Sequence, residues 1–177
     1  MVADSATSGN SASRGFTFVE LIAVIVLMGI VGAMTAQLLG QGFTAYITGR
    51  NIAETDWQAR VAVERMTREL RAIRSPTATD ITMTSASDLS FVDVDGNSIR
   101  YCMGAVGTCP GATGELIRIS QPLATGISGL AFSYLANDGK TTTATPATVY
   151  YVGVALTATQ GTISKNYQIM VSPRNFP

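Results

Sequence analysis

The stretch Gly15-Phe16-Thr17-Phe18-Val19-Glu20 runs straight into Leu-Ile-Ala-Val-Ile-Val-Leu-Met-Gly-Ile-Val-Gly-Ala-Met-Thr-Ala-Gln-Leu-Leu over residues 21–39, and its reading decides the fold. No Asp, Glu, Lys or Arg occurs from Leu21 through Gly49. A bilayer core about 30 Å thick needs about 20 mostly apolar residues at roughly 1.5 Å rise each. Phe18 to Leu39 meets that length. In hydrocarbon no water pairs loose backbone groups, so the segment is expected to be helical despite its many β-branched Val and Ile residues. Glu20 is the exception to the pattern. A carboxylate at membrane depth costs a few kcal/mol unless a partner or the interface compensates for it.

A small residue, an aromatic residue, Thr and then Glu, all hard against a membrane-length run, resemble the processing signal of type IV pilins and pseudopilins. The resemblance implies cleavage between Gly15 and Phe16 by the prepilin peptidase on the cytoplasmic face. It implies N-methylation of Phe16 and an assembly role for Glu20, the fifth residue of the mature chain. Residues 1–15 would then be a cytoplasmic leader that is removed, and residues 16–39 the transmembrane and polymerisation helix. A freed α-amino group titrates near about 8 and is largely cationic at neutral pH. In a helical fibre, Glu20 of one subunit can face the Phe16 amine of its neighbour, each offsetting the burial cost of the other.

The competing reading is an ordinary secretory signal peptide or a simple anchor. Against it, the leading region from Met1 to Gly15 holds only Arg14, balanced by Asp4, and no Ala-x-Ala site follows the apolar run. A carboxylate at the start of the apolar core is also unfavourable for such a peptide. The same thin charge departs from the more basic pilin leaders, so an N-in orientation rests on the motif rather than on the positive-inside rule.

The 177 residues suffice for one folded domain plus an anchor. Twelve basic residues balance twelve acidic ones and there is no His. Removing Arg14 with Asp4 leaves the balance at zero. This argues against a nucleic-acid binder dominated by phosphate contacts, which carries a basic excess. There are two cysteines, Cys102 and Cys109. Their spacing is not Cys-x-x-Cys and no His accompanies them, which disfavours a metal or redox site. With the N-terminus inside, everything after the anchor lies outside the cytoplasm, where a structural disulfide persists. Closing so short a loop contributes roughly 2–3 kcal/mol.

Met1 to Arg14 is rich in Ser, Ala, Gly and Asn, a composition that builds no core. Residues 40–74 read as the amphipathic half of the same helix. Val63, Met66, Leu70 and Ile73 fall at steps of three and four and make one apolar stripe, which Trp57 and Val61 extend. Asp56–Arg60 and Glu64–Arg68 are i,i+4 pairs with the acid first. The Arg-rich back of this helix reads either as a solvated face or as a partner-binding one. Ser75-Pro76 is expected to end the helix, because a residue before Pro disfavours the α region.

Beyond Pro76 the period changes from 3.6 to 2. Leu89 and Phe91 alternate, Asp95-Gly96 offers a hairpin turn, and Ile99, Tyr101 and Met103 alternate on the return. Ile117 and Ile119 follow. Leu130, Phe132 and Tyr134 make another strand and Asn137-Asp138-Gly139 another turn. Val152, Val154 and Leu156 form the next strand, and Tyr167, Ile169 and Val171 the last. Residues 75–177 therefore read as a periplasmic globular domain built on an antiparallel sheet with one buried face, which the helical stripe covers. The expected class is α+β: a ladle whose helix of roughly 60 residues packs its C-terminal half on a β globule.

Asp93-Val94-Asp95-Gly96-Asn97 has some features of a calcium loop. An EF-hand loop wants its Gly sixth and a Glu twelfth. Here the Gly is fourth and Met103 lies close to the closing position, so the hairpin reading is preferred. No nucleophile elbow, phosphate loop or dinucleotide fingerprint is present. Without His, the usual base for a Ser or Cys nucleophile is missing. No cofactor is implied.

Three further stretches carry a second resemblance: Glu64-Arg65-Met66-Thr67-Arg68-Glu69-Leu70-Arg71, Pro122 to Leu130, and Pro173-Arg174-Asn175. They look like the minor pilins of the W-type and of the O-type of mannose-sensitive-haemagglutinin pili, and also like J-type minor pseudopilins of type II secretion. The resemblance implies a non-enzymatic minor subunit that is anchored in the inner membrane and then assembled into a fibre. Its implied partners are the prepilin peptidase, other major and minor pilins, the inner-membrane assembly platform and the membrane itself. A J-type pseudopilin is the alternative, and a membrane-anchored periplasmic enzyme the alternative of another class.

Overall fold

The computed structural model describes residues 15–176, so of the leader expected over residues 1–15 all but Gly15 lies outside the described residues. One helix, α1, covers Phe18–Leu70. Eight strands follow: β1 Ile81–Ser85, β2 Asp88–Val92, β3 Ser98–Met103, β4 Glu115–Arg118, β5 Gln121–Thr125, β6 Ile127–Leu135, β7 Tyr151–Gln160 and β8 Ile163–Val171. The class is α+β, as the change of period implies. The chain divides into two compact units, with the boundary between Ile47 and Thr48.

The first unit is the apolar half of α1. Its helix runs unbroken through Gly29, Gly32, Gly40 and Gly42. No side chain from Gly15 to Asn51 is covered; Phe18 is 77% and Leu39 69% exposed.

In the second unit the rest of α1 packs on antiparallel strands. Here the structure corrects the sequence reading in four places. The strands form two sheets rather than one, ordered β1-β2-β3-β4-β5 and β6-β7-β8. Gly126 is the sole residue between β5 and β6, and its φ of +72° turns the chain out of the first sheet. A Cβ at Gly126 would meet Thr55 Cγ2 of the helix at 2.8 Å, so the switch also needs a residue without a side chain.

Of the expected stripe Met66, Leu70 and Ile73 are buried, and on the helix the buried line continues back through Ala62, Ala59 and Thr55 rather than through Val63, Val61 and Trp57. Val63 is only partly buried, and Trp57 points outward at 64% exposure. Two alanines let the helix backbone come close to the sheets. Met66 and Leu70 then lock the far end, each contributing about 1.5–3 kcal/mol by burial.

The helix stops at Leu70, before Ser75-Pro76. Ala72 and Arg74 instead pair their main chain with the hairpin: the Val94 N–H donates to the Ala72 carbonyl at 2.9 Å and the Arg74 N–H to that of Val92 at 3.0 Å.

Cross-strand pairs on the helix side carry the core. Phe91 lies opposite Ile99 and Leu89 opposite Tyr101 in the first sheet; Phe132 lies opposite Val154 and Leu156 opposite Tyr167 in the second. The Cys102–Cys109 disulfide forms and, with Ile117, makes a small second core on the other face of β3 and β4. Ile119 leaves the ladder. It turns through a φ of +59° between β4 and β5 and is 45% exposed, so it does not continue the alternation of Ile117.

The hairpin after β2 forms where Asp95-Gly96 stands. Asp93 Oδ1 accepts the N–H groups of Asp95 and Asn97 at 3.0 and 2.8 Å, and Oδ2 accepts from Asn97 Nδ2 at 3.0 Å. Those bonds hold the Asp93 carboxyl below its usual range. The Asp93 carboxylate thus closes the turn itself.

Candidate functional site

Gly15, Phe16 and Thr17 precede the helix. Thr17 supplies the N-cap: its Oγ1 accepts the Glu20 N–H at 3.2 Å, while its carbonyl accepts the Leu21 N–H at 3.1 Å. A Thr followed three residues later by Glu is the sequence of a capping box, and the Thr half of that exchange is made here. Glu20 falls in the first helical turn, where the backbone N–H groups concentrate positive potential and favour a carboxylate. The peptide bond between Gly15 and Phe16 therefore sits two residues outside the cap, free of helical hydrogen bonds. Phe16 is 78% exposed, and nothing lies within 4 Å of where a Gly15 Cβ would be.

From this cap onward the helix is long and apolar enough to cross a membrane, and its 18-residue apolar window has no buried residue. Single exposed apolar residues are ordinary on a protein surface. A continuous apolar surface on all sides of a helix belongs in lipid or against other helices.

Residues 10–36 match the family model described as the prokaryotic N-terminal methylation motif. That match supports the type IV pilin and pseudopilin family. Neither the curated proteins nor the solved structures searched contain a match to the chain. A prepilin motif implies processing by prepilin peptidase and assembly with other pilins, and the apolar helix of a pilin fits an inner-membrane anchor.

The structure also brings together polar groups from separate elements, of which only the Asp56–Arg60 pair is among those expected from local spacing. Glu69, on the helix, receives Arg118 Nε at 2.9 and 3.0 Å, the Tyr101 hydroxyl at 2.6 Å and Arg65 Nε at 3.0 Å. Burial pushes the Glu69 carboxyl up, but Arg118, Tyr101 and Arg65 together outweigh it and hold the group below its usual range. Burial, then Glu69, pushes the Tyr101 phenol well up.

Asp56 accepts from the Tyr167 hydroxyl, from Lys165 Nζ at 2.9 Å and from Arg60 Nε at 3.0 Å. Those three donors, Tyr167 first, hold its carboxyl far below the ordinary range. Of the two i,i+4 pairs expected on this helix, Asp56–Arg60 forms, whereas Glu64–Arg68 is not among the ion pairs of the described residues.

Glu69 and Asp56 join the helix to the sheets. Catalytic acids and bases work with a pKa near the operating pH. These two carboxylates are held low, as a tie between elements requires. The family motif suggests a structural subunit.

Proposed function

We propose that the chain is a minor type IV pilin, cleaved between Gly15 and Phe16, methylated on Phe16, and held in the inner membrane by residues 16–39 until it joins a fibre. The single observation that carries the reading is the capped signal Gly15 to Glu20 leading into an apolar helix with no covered side chain. That helix is the polymerisation surface, because leaving lipid is offset only by packing on neighbouring helices. Glu20, one turn inside it, is the assembly residue: it receives the methylated Phe16 amine of the adjacent subunit, so that neither charge is buried alone. The globule of residues 75–177 then faces the periplasm or the exterior.

Placement as a minor subunit draws on the three stretches that resemble minor pilins. It draws also on the disulfide, which bounds a loop between β3 and β4 rather than the C-terminal segment, as it does in many major pilins. J-type pseudopilins share the whole N-terminal signal. A deletion strain with a complemented control, scored for surface fibres by electron microscopy, separates the two. Loss of fibres restored on complementation supports the pilin. Normal fibres with reduced exoprotein in the culture supernatant would move the protein to secretion.

A further inference from the structure

Of the nine arginines after Gly49, five are tied to a carboxylate: Arg60 to Asp56, Arg65 and Arg118 to Glu69, Arg74 to Asp80 and Arg100 to Asp88. Arg68, Arg71 and Arg174 have no carboxylate partner among the described residues, and all three line one groove. The groove holds about 720 Å³ and lies where α1 ends. Main-chain bonds fix its walls. The Arg174 N–H donates to the Arg71 carbonyl at 3.1 Å, bringing the C-terminal tail against the helix end, and Asn175 Nδ2 reaches the Ile73 carbonyl at 3.4 Å. The β2–β3 hairpin closes the other side through Val94 N–H and the Ala72 carbonyl. The guanidiniums thus come from two segments a hundred residues apart in sequence, held by backbone, with Thr67 and Asn175 as neutral polar neighbours.

We propose that this groove docks an acidic peptide segment of a partner protein. Guanidinium forks match carboxylates in paired, parallel hydrogen bonds. Three of them around a groove of this size suit a segment bearing two or three Asp or Glu side chains. Glu64 lines the same groove and decides between partner classes. It would repel a uniformly charged nucleic-acid backbone, whereas a peptide can offer it a backbone or side-chain donor beside its own acids. Val94, 53% exposed, adds an apolar patch that a peptide side chain can cover. The inference rests on the geometry of the globule and not on the anchor reading.

The test uses the full chain in detergent micelles and a fluorescein-labelled hexaglutamate peptide, followed by fluorescence anisotropy, with a single-stranded oligonucleotide of equal charge as the comparison. The expected result is saturable peptide binding, weakened about five- to tenfold by Arg71→Gln and again by Arg174→Gln, the loss of one charge-assisted contact each. Arg50→Gln, outside the groove, should leave binding unchanged. All three positions are exposed, and unchanged thermal melts of the variants confirm that only binding is read. No saturable binding, equal affinity in the wild type and the Arg71/Arg174 double variant, or tighter binding of the oligonucleotide than of the peptide would each overturn the proposal.

Discussion

Tyr101 on β3 donates its hydroxyl to Glu69 on the helix at 2.6 Å, and Arg118 on β4 closes on the same carboxylate at 2.9 Å. Three elements distant in sequence thereby meet at one charged group. Tyr101 is fully buried, so its hydroxyl has no water to turn to if Glu69 is lost. Tyr101→Phe should cost about 1–2 kcal/mol, and Glu69→Ala more, because it strands Arg118 and Arg65 as well as the Tyr101 hydroxyl. A double-mutant cycle by urea unfolding would give a coupling clearly above zero. Strict additivity would show that the contact does not tie the helix to the sheet.

Acid should loosen the same ties. Arg74, then Ser75, holds Asp80 at about 2. A carboxyl lowered on folding contributes stability that is fully present above its unfolded value near about 4 and is lost as pH falls through the folded one. Glu69 and Asp56 are displaced in the same direction. Thermal melts should therefore be flat from neutral pH down to about 4 and fall steeply below it, and Arg74→Gln should shallow that fall. A melting temperature independent of pH down to about 2 would contradict these assignments.

The disulfide predicts a graded loss. Cys102 and Cys109 are 1% and 7% exposed, and their bridge closes a loop of sequence separation seven beside Ile117. Cys102→Ser with Cys109→Ser should destabilise the globule by roughly 2–3 kcal/mol without unfolding it, since the main core lies on the other face of the sheet. Chemical denaturation with and without reductant measures this directly.

Much of this architecture can be read from the residues, and what could not be read has physical causes. Alternation located β2, β3, β6, β7 and β8 because in each the apolar residues that face the main core recur at every second position. It missed β1 and β5, the outer strands of the first sheet, where Thr82, Thr84 and Gln121 face solvent and Pro122 lacks a donor. It could not see the change of sheet at Gly126, since β5 itself showed no alternation and only one residue separates it from β6. Hydropathy pointed at Val63 and Trp57 and passed over Ala59 and Ala62, whose value in the interface is their smallness. The end of the helix at Leu70 depends on pairing with Val92 and Val94, a contact no local pattern encodes. The N-terminal signal was legible because it needs only adjacent residues; the Glu69 and Arg174 clusters were not, because tertiary folding assembles them.

Two substitutions separate processing from assembly. Gly15→Glu puts a charged side chain at the residue before the cleavage point and should leave the protein at precursor size on an immunoblot. Glu20→Ala keeps the cap oxygen on Thr17, so the chain should be processed at the normal rate yet be missing from sheared fibres. Unchanged proportions of precursor and mature bands in the Gly15 variant would remove the basis of the family reading.

The most direct test is intact-mass and N-terminal fragment-ion analysis of the protein purified from its own membranes. The account predicts a chain that begins at Phe16 and is one methyl group heavier than its sequence, with that methyl on the α-amine. A chain that retains residues 1–15, or one cut after the apolar run, would contradict it.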